Sequence, residues 1–213
     1  MSLSQISCLP FSSDNLNSTD NCLSKIQSTV EFLMKNSTPK FVILAGYWNY
    51  LASGAFETNN LSWRRAFTAD DLKTMSYETK VSNFLKSISK SDRNVLIMKD
   101  IPDLDFNVAN CFDLRPFSFH SRIDKCSISS VDFKNRNKNL DDMFSKLERT
   151  VNRLHIFDPT PIFCNDSSCN PVFNNQPLYF NCDHLNLRGA DKVIENMLQN
   201  LDDVISPLKN HSL

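Results

Sequence analysis

Three short aliphatic runs limit what this chain can fold into: Phe41-Val42-Ile43-Leu44-Ala45, Val95-Leu96-Ile97-Met98 and Leu154-His155-Ile156-Phe157. Each has the length of a buried strand, and none approaches the ~20 residues that span a bilayer. Around them, apolar residues recur at helical spacing. Leu23, Ile26, Val30, Leu33 and Met34 form one face, with Asp20 as a cap and Asn36 and Pro39 as a stop. A second helix is expected from a capping box at Thr68-Ala69-Asp70-Asp71 to about Lys90, with Leu72, Met75, Val81, Phe84, Leu85 and Ile88 inward. A third is expected from Asn139, carrying Leu140, Met143, Phe144, Leu147 and Val151, and a fourth from about Arg188 to Ile205. Helices alternating with strands in this way build a parallel sheet with right-handed crossovers. Ligands in such sheets sit beyond the carboxyl ends of the strands, so loops starting at Gly46, Lys99 and Asp158 should line any site.

The rest of the chain is read as irregular. Residues 1–20 are rich in Ser and Asn and form an arm; Gly46 to Phe67, residues 99–137 and the segment after Asp158 are long loops. With 213 residues and sixteen phenylalanines, residues 1–213 are expected to form one domain that buries an ample core. Three strands make a narrow sheet, and the chain opens on a helix where such folds usually open on a strand. A further strand is therefore expected ahead of residue 1. A sheet lacking that strand would expose an edge, and a homodimer would cover it.

Composition removes whole classes of function. The formal net charge is -1, so no long-range field draws nucleic acid or an anionic membrane. There are only three glycines, Gly46, Gly54 and Gly189, against the ~7% usual in globular chains. Phosphate-cradling loops need two or three glycines close together, because only glycine lets the backbone approach the phosphate. These three are too scattered, and no cofactor is implied. The start Met1-Ser2-Leu3-Ser4-Gln5 lacks the basic and apolar regions of an export signal.

Seven cysteines point the other way. Six fall into local pairs, Cys8 with Cys22, Cys111 with Cys126 and Cys164 with Cys169, each flanking a loop with little core-forming pattern. Disulfides there would restrict the unfolded chain where it most needs restriction, and they belong to an oxidising compartment. Two alternatives stand beside that reading. The thiols can serve as small buried hydrophobes, or Cys164, Cys169, Cys182 and His184 can hold zinc in a C-x4-C-x12-C-x-H series, although neither half has the usual ligand spacing.

The most informative local sequence is Leu178-Tyr179-Phe180-Asn181-Cys182-Asp183-His184-Leu185-Asn186, a loop that ends at a helix start. A histidine there, with a carboxylate one residue before it and an amide three before, suits a general base held in one tautomer. The stretch resembles the D-x-x-H-L-S block of the SGNH hydrolases, and most closely the SGNH domains fused behind membrane-embedded acyltransferases that decorate surface glycans. Other stretches match that subgroup in order. They are Cys8-Leu9-Pro10 with Cys22, the strand Phe41 to Ala45 running into Tyr47-Trp48, and Ile101-Pro102-Asp103-Leu104-Asp105-Phe106-Asn107 before Cys111. Cys126, Asp158-Pro159 with Cys164 and Cys169, and Leu178-Tyr179 complete the series.

The resemblance covers essentially the whole chain and implies a three-layer α/β/α sandwich. It also implies acyl ester transfer or hydrolysis through an acyl-serine, the O-acetylation chemistry of acyltransferases and esterases. The partners it implies are an acyl donor, a glycan acceptor and a membrane acyltransferase domain tethering this one at the periplasmic or extracellular face. His184 maps to the catalytic base, and the oxyanion turn maps to Gly46, Tyr47, Trp48 and Asn49, with Trp48 equally suited to a core or lid position. Two features depart from the family pattern. No Gly-Asp-Ser occurs, since Gly46 precedes Tyr and Gly54 and Gly189 precede Ala; the nucleophile block is expected ahead of Cys8, and the isolated chain is expected to be inactive. The triad acid position holds Asn181, and an amide orients an imidazole without stabilising its charged form. Asp183, a neighbour of the histidine, would reach the ring only through a shifted loop. These departures motivate an alternative, a non-catalytic module that binds glycan or protein.

Overall fold

The computed structural model describes residues 21–46, 48, 77–89, 92–112 and 126–209, with the side chains of 21–27 and 202–209 excepted. In chain order the elements are α1 (Asn21–Lys35), β1 (Phe41–Ala45), α2 (Tyr77–Ile88) and β2 (Asn94–Met98), then a 3-10 turn at Val108–Cys111. There follow β3 (Ile128–Ser129), α3 (Ser130–Thr150), β4 (Leu154–Phe157), α4 (Thr160–Phe163), β5 (Ser168–Cys169), β6 (Val172–Phe173), β7 (Gln176–Pro177) and α5 (Leu187–Lys209). The protein is α/β, and it divides into two compact units, Met1–Lys99 with Arg136–Ile156, and Asp100–Asn135 with Phe157–Leu213.

The first unit contains the expected parallel sheet, in the order β1-β2-β4. β1 and β2 run parallel in register from Phe41 opposite Asn94 to Ala45 opposite Met98. On the other side of β2, the Val95 amide donates to the Arg153 carbonyl at 2.9 Å. Residues two apart on a strand share a face, so Val95 and Ile97, both fully buried, enter one cluster with Val42, Leu44 and Leu154. Val81, Leu85 and Ile88 from α2 and Leu140, Phe144 and Leu147 from α3 complete that core. Their 3-and-4 spacing is the pattern expected of helices laid on a sheet.

Arg93 locks the chain ends that feed this sheet. Its side chain is 1% exposed and donates to four carbonyls, those of Leu33 and Asn36 at the end of α1, Pro39 before β1, and Ile88 at the end of α2, at 2.6 to 2.8 Å. The last carbonyls of a helix have no partner within it, and one guanidinium, with five donors in a fixed fork, serves two helices at once.

Two expectations need correction. The third helix starts at Ser130, not after Asn139, so residues 130–137 are helical and not loop. The Ser129 hydroxyl accepts from the Asp132 amide at 3.1 Å, a serine cap with an acidic residue three positions on. The apolar period hides the first turns, because Val131 is exposed and the inward positions are Ser130, Phe133 and the buried amide Asn137. The stretch after Asp158, read as loop, contains the short elements α4 and β5 to β7. The Thr68–Asp71 capping box, the arm at 1–20, Tyr47 and Asn49 lie outside the described residues.

The second unit is assembled differently. β3 pairs antiparallel with β5, Ile128 opposite Cys169, and β6 pairs with β7. The β6–β7 turn is Asn174-Asn175, with φ of 49° and 57°, the left-handed conformation that a two-residue hairpin demands at both centres and that asparagine tolerates. Disulfides join Cys111 to Cys126 and Cys164 to Cys169. The expected Cys8–Cys22 pair lies outside the described side chains. No helix among the described residues is long and apolar enough to cross a membrane.

Candidate functional site

The segment Leu178 to Gly189 is folded by its own asparagines into a tight turn that leads into α5. Tyr179 and Leu185 bridge antiparallel, and inside that bridge the Phe180 amide donates to the His184 carbonyl at 2.7 Å. Within the closed loop, Asn181 Oδ1 accepts from the Asp183 amide at 3.0 Å and from the His184 amide at 2.8 Å. Asparagine favours such turns because its side-chain oxygen can bond its own backbone two residues on.

This turn brings three of the expected residues together. His184 Nδ1 lies 2.9 Å from Asp183 Oδ1 and 3.2 Å from Asn181 Oδ1. Oxygen and not nitrogen of the Asn181 amide must face the ring, since the same atom accepts two backbone N–H groups. Acceptors on that side place the proton on Nδ1 and leave the Nε2 lone pair to act as a base. The imidazole is 72% exposed and the Asp183 side chain 23%, so the ring is open to solvent. The five-residue turn 180–184 doubles back, so the Asp183 carboxylate meets the ring of its sequence neighbour.

The turn is fixed on two sides by groups that the sequence pattern did not single out. On one side, the Leu104 amide donates to the Cys182 carbonyl at 2.7 Å, and the Tyr179 hydroxyl donates to the Pro102 carbonyl at 2.7 Å. Tyr179 is 2% exposed and stacks edge-on against Phe163. Its burial, with the nearby Asp103 carboxylate second, holds the phenol well above its usual range, so it stays protonated and donating. On the other side, Asn186 Nδ2 donates to the Pro177 carbonyl at 2.8 Å, and its Oδ1 accepts from the Gly189 amide at 3.0 Å, capping α5. Gly189 lets the helix approach, since a Cβ there would stand 2.1 Å from the Leu178 carbonyl oxygen. An asparagine three residues before a lone glycine at a helix start was the available sequence signal for this cap.

The oxyanion candidates belong to the first unit. Gly46 follows β1 and is exposed. Trp48 is 1% exposed; its indole N–H donates to the Met98 carbonyl at 2.6 Å, and its ring packs edge-on against Phe144. It is a core aromatic of that unit. The zinc alternative is overturned by the bond between Cys164 and Cys169, which leaves Cys182 and His184 as an incomplete ligand set. Among the described residues no group of three or more histidine, cysteine or carboxylate side chains is placed to hold a metal ion.

A parallel α/β sheet, stapled loops and a histidine turned outward just before the last helix define an SGNH-type fold. The chain belongs to the family described as SGNH domain (fused to AT3 domains), whose model matches residues 1–199. In fold it is similar to the structure of a Salmonella ser. Paratyphi A lipopolysaccharide acetyltransferase periplasmic domain. The TM-score is 0.53 with 14% identity, covering 90% of this chain and 66% of that one. The chain thus spans about two thirds of that domain's length, and at this identity the likeness is one of fold. No curated protein matches the chain.

Proposed function

We propose that this chain is the extracytoplasmic SGNH-type part of an O-acyltransferase that esterifies surface glycans, with His184 as its general base. The observation that carries the proposal is the imidazole with Nδ1 held by two side-chain oxygens and Nε2 open, in a chain of the SGNH family. In this chemistry a serine Oγ attacks the acyl carbonyl while His184 Nε2 takes its proton, and that proton then goes to the departing oxygen. A sugar hydroxyl attacks the acyl-serine in turn, its proton passing through His184 back to the serine. The chain contains no Gly-Asp-Ser, so the 213 residues alone supply the base without that nucleophile block. The acyl donor, the glycan acceptor, tethering by a membrane acyltransferase domain and residence at the periplasmic or extracellular face belong to this proposal. Disulfides in both described pairs support the oxidising compartment.

The intact gene product is expected to turn over a chromogenic acetyl ester and to lose about 10²-fold or more of its kcat/KM on His184→Ala. The isolated 213-residue chain is expected to show no turnover. The absent Gly-Asp-Ser and the amide at 181 favour a second reading, a glycan-binding module without catalysis. It requires that the gene product bind glycan equally well with His184→Ala and show no ester turnover.

A further inference from the structure

Resting on that reading, we infer that the two oxygens at His184 have divided roles: Asp183 is the carboxylate that stabilises the charged imidazole, and Asn181 is the organiser of the turn. Counting lone pairs separates them. The Asn181 amide oxygen has two, and the Asp183 and His184 amides already engage both at 3.0 and 2.8 Å. Its contact with Nδ1, at 3.2 Å, is the third and the longest. Asp183 Oδ1 meets Nδ1 at 2.9 Å and otherwise faces the Cys182 thiol at 3.5 Å, a weak donor that points the carboxylate toward the ring. A bond between an ionised carboxylate and an imidazolium is charge-assisted and roughly twice as strong as a neutral one. Only Asp183 supplies that charge. A carboxylate on the neighbouring residue reaches the ring because the 180–184 turn doubles back, and the Leu104–Cys182 backbone bond fixes the residue between them. Both act as positioning residues for His184.

Other ionisable groups are near. Tyr179 and Asp103 are buried at the base of the turn, Cys182 lies within it, and Arg188 is on the first turn of α5. The test therefore compares variants at fixed surroundings. In the 213-residue chain, the ring nitrogen resonances of His184 are read by NMR at one fixed pH. Asp183→Asn is expected to move the Nδ1 resonance, because a neutral acceptor makes a weaker bond to the ring than a carboxylate does. Adding Asn181→Asp to that variant is expected to restore it, since position 181 also reaches Nδ1. In the intact gene product, Asp183→Asn is expected to lower kcat/KM by about 10²-fold, with rescue by the double variant. An unmoved Nδ1 resonance in Asp183→Asn overturns the division even where His184→Ala abolishes turnover. A moved and rescued resonance with no ester turnover supports the division while the acyltransferase reading fails.

Discussion

The two units of this molecule are held together by different physics. In the first, Val81, Leu85, Ile88, Val95 and Ile97 are wholly out of solvent, and one guanidinium ties the ends of two helices. In the second, no strand among the described residues exceeds two residues, and the backbone is shaped by side-chain oxygens. Asn107, Asn165, Asn170, Asn181 and Asn186 each accept from a backbone amide two or three residues on. Two disulfides close its loops. Burial is roughly proportional to area and non-directional, whereas a hydrogen bond fixes direction. The His184 turn falls in the unit whose geometry is set bond by bond, which is where oriented chemistry is best placed on a loop.

The sharpest way to break the contrast is through its most concentrated element. Arg93→Ala removes four charge-assisted bonds and leaves buried carbonyls unpaired, a loss expected to be about 4 kcal/mol. Urea unfolding followed by NMR or hydrogen exchange should show amides of β1 and β2 losing protection first. Next in size is the staple of the second unit. Replacing Cys111 and Cys126 by Ala opens a loop of sequence separation 15, which is worth about 3 kcal/mol to the folded state. Reduction with a thiol, which also opens Cys164–Cys169, should cost at least as much, lower protection around β3 and β5, and leave the β1–β2 amides unchanged. Equal loss of protection in both units would refute the division of labour.

How much of this was legible follows the same division. The three strands and the inward faces of α2 and α3 were readable because aliphatic runs and 3.6-residue periodicity record burial directly. Leu85, Val95 and Leu147 are core residues that a period alone can find. Arg93 was invisible, since nothing in the sequence around a lone arginine says that it is buried. The first two turns of α3 were missed because residues 131–138 carry only Phe133 and Asn137 inward. Ser129 and Asp132 held the capping signal instead. In the second unit, the β6–β7 hairpin escaped notice because Asn174-Asn175 stands where an Asn-Gly or Asp-Gly would have announced the turn. His184, Asp183 and Asn181 were found as a motif, but which oxygens face Nδ1 depends on a turn closed by Phe180 and His184 backbone groups that carry no residue-type signature.

A smaller effect sharpens the link between turn and helix. Gly189→Ala places a Cβ where the Leu178 carbonyl oxygen stands, so α5 must retreat from the arm that leads into the His184 turn. The cost is expected to be about 2 kcal/mol, in the range of overpacking. The consequence for the site should exceed the consequence for stability, because the retreat also breaks the Asn186 bonds to Pro177 and Gly189. Comparing melting temperature with the His184 amide chemical shift in this variant separates the two. An unchanged His184 amide environment would show that the turn is built independently of the helix.

The smallest expected effect is a pH response in the first unit. His155 sits on β4 with Nε2 3.3 Å from Asn94 Oδ1; partial burial lowers its pKa, opposed in part by the Glu148 carboxylate. A histidine whose folded pKa lies below its unfolded value binds fewer protons when folded, so stability rises with pH between the two values. As pH falls below about 6.5, the unfolded imidazole protonates first and the fold weakens, until the folded group titrates as well. Urea midpoints measured from pH 7.5 down to 5 should therefore drift downward for the parent chain, most clearly for β1 and β2 amides. His155→Gln, which keeps a polar group opposite Asn94 and cannot titrate, should flatten that drift. A drift of equal slope in the variant would assign it to the carboxylates, and the contrast between a burial-held unit and a bond-held one would lose its pH signature.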